Sequence, residues 1–290
     1  MKYTYAILGG TGHVGSALSQ QLLKENSRVL IIGHSGKNKE QWTSQGAGFE
    51  TADILDSEKL AELFASAERL FILNPPADPA QDAEAAELKQ IQSILQALKG
   101  LSPEKIVMAS TYGAREGTRI FDLGTCYQLE KGLQAHGAPL AIIRSAYYMS
   151  NLDMPAQMAI NDRLFSTVLP ADFKLPMVSP EDIGTFAAEL IQDDRTGIFY
   201  IQAAEEYAAN DAIEILSHIL QKDIKANEIP EKDWAAYMQQ GGFSPESAQS
   251  FIGMTRLTLN EKFQTSHPHI GKTTLGQYLK QVVEAAKTNQ

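Results

Sequence analysis

Short apolar runs and longer amphipathic stretches alternate along the first half of the chain. The short runs fall at residues 3–8, 28–33, 48–53, 69–74, 105–110 and 139–144, each rich in Ile, Leu, Val or aromatic residues. Compact runs of this kind read as strands buried on both faces. Between them the hydrophobic period becomes helical. Residues 13–26 put Val14, Leu18, Leu22 and Leu23 on one face, with Gln20, Gln21, Lys24 and Glu25 largely outside. Residues 80–98 repeat the pattern with Leu88, Ile91, Ile94, Leu95 and Leu98. Strand, helix and strand in repetition predict an α/β fold with a doubly wound parallel sheet in the order 3-2-1-4-5-6. In such a sheet a ligand binds at the carboxyl ends of the strands, where the order reverses beside strand 1.

After Arg144 the alternation loosens. Residues 151–160 predict a helix, and 165–178 hold apolar pieces broken by Pro170 and Pro176. Ser179-Pro180-Glu181-Asp182 is a helix start, with Ser as N-cap, Pro in the first turn and acids beside it. Residues 198–202 offer one more strand, Ser244-Pro245-Glu246 opens another helix, and residues 274–286 a last one. This divides the chain into a main domain over 1–150 and a smaller, mostly helical substrate-binding part over 151–290, interleaved with the first.

Leu8-Gly9-Gly10-Thr11-Gly12-His13-Val14-Gly15 carries the strongest chemical signal. Gly9, Gly12 and Gly15 stand three apart between the first strand and the first helix. The first permits the turn, the second lets backbone approach a pyrophosphate, and the third allows helix to pack on sheet. The helix N-terminus then presents N–H groups to the phosphates. These residues, with Thr11, His13 and Val14, predict a nicotinamide dinucleotide site.

A carboxylate ending strand 2 would select NAD(H) by binding the ribose hydroxyls. Here the segment is Gly33-His34-Ser35-Gly36-Lys37-Asn38-Lys39, with no acid before Glu40. His34, Ser35 and Lys37 are candidate donors to a 2′-phosphate, so NADP(H) is preferred over NAD(H); the alternative is a solvated basic loop. Asp53 either accepts from the adenine amino group, with Ile54 near the ring, or is simply a turn residue. Asn74 and Pro75 stand where the chain must pass the cofactor ribose.

Composition narrows the partners. Twenty-five Lys and Arg against 35 Asp and Glu give a formal charge of −10, which argues against a nucleic-acid surface. Cys126 is the only cysteine, so no internal disulfide can form and a reducing compartment fits. The N-terminus runs straight into strand 1 without a leader pattern, and no apolar run has the length of a membrane span. A small-molecule substrate in the cytoplasm is the expectation, and the pattern allows a homodimer without demanding one. His267-Pro268-His269 lacks further clustered ligands, so no metal site is expected.

Several segments together resemble the NmrA-like branch of the atypical short-chain dehydrogenase/reductase superfamily. They are Gly9–Gly15, Ala52-Asp53-Ile54-Leu55-Asp56, Phe71-Ile72-Leu73-Asn74-Pro75-Pro76, the run from Arg144 through Tyr147 and Tyr148 to Asn151, and Val178-Ser179-Pro180-Glu181-Asp182-Ile183-Gly184. The resemblance implies a Rossmann-type dinucleotide-binding fold. It also implies one of two activities: NADPH-dependent reduction of quinones or dyes, or dinucleotide sensing without turnover.

In the wider superfamily a Tyr-x-x-x-Lys pair and a Ser or Thr carry catalysis. Tyr127 and Lys131 have that spacing, and Ser110 or Thr111 would be the hydroxyl partner. Aligned on Gly137-Ala138-Pro139 and Arg144, however, Glu130 takes the family's helix glutamate position. Cys126 then falls where relatives often carry His or Lys, which puts Tyr127 and Lys131 one register away from a working pair. Quinones and conjugated dyes accept hydride with little help, so positioning can suffice. Tyr112, Tyr147, Tyr148, Met149 and Asn151 are expected near the nicotinamide, under a roof of Trp234, Tyr237, Met238, Phe243, Phe251 and Met254. Those six occur at helical spacing, where such residues are more often plain core. Sugar-nucleotide epimerase chemistry, the third possibility, would need the Tyr–Lys pair in register.

Overall fold

The six predicted strands all form in the computed structural model, which describes residues 2–261, 263 and 265–288. They are β1 (Tyr3–Leu8), β2 (Val29–Gly33), β3 (Gly48–Thr51), β4 (Ala67–Ile72), β5 (Lys105–Thr111) and β6 (Leu140–Ser145). Five helices intervene: α1 (His13–Lys24), α2 (Lys39–Ser44), α3 (Ser57–Ala65), α4 (Ala83–Leu98) and α5 (Asp122–His136). β3 stops two residues short of the expected end, because Ala52 N–H turns to Gly33 O and Asp53 enters a turn. α4 starts at Ala83, where the Asp82 carboxyl accepts Ala85 N–H.

Beyond residue 146 come β7 (Tyr147–Tyr148), α6 (Asp153–Asp162), β8 (Leu164–Thr167), β9 (Leu175–Val178), α7 (Pro180–Gln192) and β10 (Gly197–Ala203). β11 (Glu206–Tyr207), α8 (Ala209–Leu220), β12 (Lys225–Glu228), α9 (Trp234–Gln240), α10 (Pro245–Glu261), β13 (His269–Gly271) and α11 (Leu275–Thr288) follow. The main sheet has eight strands in the order β3-β2-β1-β4-β5-β6-β10-β13, every pair parallel. The predicted order 3-2-1-4-5-6 is thus present and extended. β10 was legible as an apolar run; β13, only three residues long and mostly exposed, was not.

Alternation along the strands builds two cores. Tyr5, Ile7, Val29, Ile31, Phe71 and Val107 face α1 and α7 on one side. Ala6, Leu8, Leu30, Ile32, Leu70 and Met108 face α3, α4 and α5 on the other. A third cluster, around Met149, Phe165, Leu216 and Leu279, holds the later elements together. No helix of the described residues is long and apolar enough to cross a membrane.

A helix of α1's length, 12 residues, is marginal alone, so its position comes from packing. Val14, Leu18 and Leu22 bury against Ile183, Phe186 and Leu190 of α7. The far end of α7 is closed by two cations. Lys105, 1% exposed, donates to Leu190 O, to Asp193 O at 2.8 Å and to Asp193 Oδ1 at 3.0 Å. Arg69 donates to Ile191 O and Asp193 O, both at 2.9 Å. Cations suit the carbonyl end of a helix, and these two fasten α7, and through it α1, to the sheet. Lys105→Met strips the ammonium from carbonyls that stay buried. Urea unfolding is expected to show a loss of about 2–4 kcal/mol; a loss under about 0.5 kcal/mol would show that Arg69 alone closes the helix.

Candidate functional site

The chain leaves β1 at Leu8 and enters α1 at His13 through a turn that only glycine fits at two places. Gly9 has φ +74°, in the left-handed region. A Cβ at Gly15 would strike Gly9 O and come within 2.7 Å of Gly10 Cα. The third glycine therefore seats the helix against the turn itself, rather than against the sheet as the motif suggests. Gly12 N–H returns to Gly9 O at 3.0 Å, and Ser16 N–H is the first to turn back into the helix, on Gly12 O at 2.8 Å. The N–H groups of Gly10, Thr11, His13, Val14 and Gly15 have no partner among the described residues. Five donors at the positive end of a helix form a ready site for an anion.

The other predicted contacts surround this turn. The Thr11 methyl and the Phe49 ring close over Gly33 at the end of β2, so the segment carrying His34, Ser35 and Lys37 begins beside the turn. All three of these side chains are exposed. Asp53 uses Oδ1 to accept Leu55 N–H at 2.9 Å, the turn role weighed above, and Ile54 is half-buried against the sheet. Asn74, one residue before Pro75, has a buried Oδ1 without a partner, an acceptor left over at the end of β4.

At the ends of β5 and β6 the arrangement centres on Glu130, 2% exposed. Its carboxyl accepts Ser110 Oγ–H at 2.5 Å and both Arg144 Nε, at 3.0 Å, and Nη2, at 2.7 Å. Glu130 faces the sheet, so Lys131 points to solvent and Tyr127 sits half-buried beside it. The structure does not bring Tyr127, Lys131 and Ser110 together: Ser110 is committed to Glu130. Burial pushes the Tyr147 hydroxyl up to about 12, with Asn151 opposing the rise, and that of Tyr148 higher still. Tyr112 is not free to line a pocket. Its hydroxyl donates to Gln202 Oε1 at 3.1 Å and its ring meets Tyr200 edge-on.

Two acids that the sequence analysis passed over complete this region. Glu87, 5% exposed, accepts Thr125 Oγ1–H at 2.7 Å and Ala77 N–H at 3.3 Å, joining α4, α5 and the segment after Pro75. Burial outweighs these donors and pushes its carboxyl up to about 7. Asp122, the first residue of α5, has a buried Oδ1 without a partner, and burial pushes it up to about 6. Burial also raises the Cys126 thiol well above its ordinary range, so it is no ready nucleophile. Glu84, Glu87, Ile91, Ile94 and Leu98 form one stripe at helical spacing; the signal for buried acids was that they continue an apolar face.

α10 packs against α4 and the segment before it. Ser244 N–H donates to Pro79 O, and the Ser244 and Ser247 hydroxyls both donate to Gln81 O. Phe251 meets Phe121 and Phe243 edge-on at 6.4 and 5.9 Å. Trp234 and Met238 are core: both are buried, and Trp234 Nε1–H donates to Ile229 O. Tyr237 and Met254 are half-buried. His267 and His269 lie at the opposite sheet edge, and the described residues hold no group of three or more His, Cys, Asp or Glu placed to bind a metal.

An eight-stranded parallel sheet with a glycine turn leaving β1 defines the class: a Rossmann-like α/β fold. The chain belongs to the NmrA-like family, whose model matches residues 1–279. Solved structures share the fold at low identity. A triphenylmethane reductase from Citrobacter sp. is 15% identical with TM-score 0.80, over 97% of this chain and 100% of that one. An NADPH-dependent quinone oxidoreductase from Escherichia coli is 20% identical with TM-score 0.74, over the same shares. A nucleoside-diphosphate-sugar epimerase from Staphylococcus aureus is 16% identical with TM-score 0.77, over 96% and 99%. No curated protein matches by sequence.

Glu87 makes stability depend on pH. The unfolded carboxyl loses its proton near 4.5 and the folded one near 7, so the folded state binds more protons between them. Stability therefore falls as pH rises through that window and stays lower above it. Glu87→Gln keeps an amide to meet Ala77 and Thr125 without a charge to bury. Thermal and urea unfolding should show the variant more stable than wild type at pH 8, by about 1–3 kcal/mol, and nearly equal at pH 4.5. Equal stability at pH 8 would mean Glu87 ionises normally.

Proposed function

We propose that the chain is an NADPH-dependent reductase of small conjugated electrophiles, quinone-like or dye-like, working by direct hydride transfer. The five unpaired N–H groups at the turn carry this reading, since they match the pyrophosphate of a dinucleotide. The buried Asn74 Oδ1 is a further acceptor for the ribose or the carboxamide. His34, Ser35 and Lys37, with no carboxylate among them, suit a 2′-phosphate. When bound, the nicotinamide supplies hydride. The protein's part is to hold the ring at the ends of β5 and β6, shield it with Tyr147, Tyr148 and the α10 roof, and orient an acceptor there.

Residues 1–150 would carry the dinucleotide and 151–290 most of the substrate contacts. Ser110 and Arg144 are closed onto Glu130, which leaves no Tyr–Lys base and makes epimerase chemistry the weakest option. The names of the quinone and dye reductases of like fold support the same reading. The lack of a base at the usual place also favours a second reading, a sensor that binds NADP(H) without turnover. It requires a partner whose affinity differs between the bound and free states.

Consumption of NADPH and NADH, followed by absorbance with a panel of quinones and triphenylmethane dyes, tests both. Turnover is expected with NADPH, at kcat/KM at least about tenfold above NADH. Lys37→Glu should erase most of that margin by weakening NADPH alone, since one charge-assisted contact is worth about 1.5–3 kcal/mol. Tight NADPH binding by calorimetry with no turnover across the panel would contradict the reductase and favour the sensor.

A further inference from the structure

We propose that Asp122 is the catalytic acid of this chain, giving the proton that a quinone-type acceptor needs once hydride has been added. The proposal rests on the reductase reading above and adds to it the fate of the proton.

The turn into α5 holds Asp122 in place. Phe121, the residue before it, has φ +51°, a conformation few non-glycine residues adopt. Buried Glu84 fixes that turn by accepting Phe121 N–H at 3.0 Å and Arg119 N–H at 2.7 Å. Arg119 in turn forms a two-bonded ion pair with Asp82, both contacts at 2.8 Å. The loop into α5 is thus fixed before any ligand arrives, and Asp122 is its first helical residue. Preorganisation of this kind is what proton transfer needs.

The groups around Asp122 single it out. Cys126 follows one turn along α5, Glu87 approaches from α4, and Tyr147 and Tyr148 approach from β7; each feels the Asp122 charge. Glu130 and Arg144 are spent on each other. Burial makes the thiol and both phenols hold their protons tightly. Both oxygens of Glu87 are engaged, by Thr125 and Ala77. Asp122 alone in this set has a buried oxygen with no partner. Burial keeps its carboxyl protonated into the mildly acidic range, against the opposing pull of the Asp122 and Leu123 backbone N–H groups, a state in which it can donate.

The step balances simply. The acceptor takes hydride, and its reduced oxygen takes the carboxyl proton. The O–H bond of Asp122 breaks, that of the hydroquinone forms, and the carboxylate recovers a proton from solvent. A cationic triphenylmethane dye needs no such proton, because hydride on its central carbon gives a neutral product directly.

That difference is the test. Asp122→Asn keeps the size and removes the acid. With NADPH saturating, kcat for para-benzoquinone should fall at least about tenfold more than kcat for malachite green, with KM little changed. The wild-type quinone rate should decline as pH rises past about 6, and the variant should lose that dependence. In the free protein, infrared difference titration should show a carboxylic acid band disappearing near the same pH in wild type and missing from the variant. Equal losses on both acceptors, or a band unchanged by the substitution, would overturn the proposal and leave Asp122 a structural residue. A wild-type protein inert to both acceptors would overturn the reductase reading itself, and this role with it.

Discussion

Glu130 and Arg144 form the buried ion pair on which the rest of the site depends. A carboxyl group enclosed between a helix and two strand ends must be met by a cation and filled with hydrogen bonds, or its desolvation is uncompensated. Arg144 meets it from β6 with two contacts, and Ser110 adds a third from β5. That requirement fixes the rotation of α5. With Glu130 inward, Cys126 and Asp122, one and two turns earlier on α5, are half-buried, and Lys131 goes to water. One ion pair therefore decides which side chains of α5 face the protein and which face solvent.

At the other end of the pocket the decisive constraint is backbone. β1 is buried on both faces and ends beside β2 and β4, and the chain leaves it through a turn that needs a left-handed residue at Gly9 and has no room for a side chain at Gly15. The same turn leaves five N–H groups without partners among the described residues. α7 holds this arrangement from behind by packing along α1, and Lys105 and Arg69 hold α7. The turn, α1 and α7 thus belong to one continuous packing unit.

Much of this was legible in the sequence. The strand order followed from six apolar runs, and the turn from three glycines in the right context. The rotation of α5 was readable too, from the alignment that put Glu130 ahead of Lys131. What the sequence hid was of two kinds. β13 is short, and only its contact with β10 makes it a strand. Glu84 and Asp122 look like ordinary helix-start residues, since acids favour first turns everywhere, and Glu87 is marked only by its place on the apolar stripe of α4. The partners that enclose Glu84 and Glu87, among them the Arg119–Phe121 turn and Thr125, meet them only in three dimensions. The aromatics and methionines show the converse: Trp234 and Met238, readable as roof or as plain core, are core, whereas Phe121, Phe243 and Phe251 meet only in three dimensions.

The account joins a phosphate-binding turn to a hydride-accepting pocket across the ends of β1, β4, β5 and β6, and amide NMR during titration with NADP+ tests that join most directly. The account predicts large shifts at the N–H groups of Gly10, Thr11, His13, Val14 and Gly15, together with Asn74, Ser110 and Tyr147, all saturating with one affinity. Shifts scattered over other surfaces, with the turn amides unmoved, would contradict it.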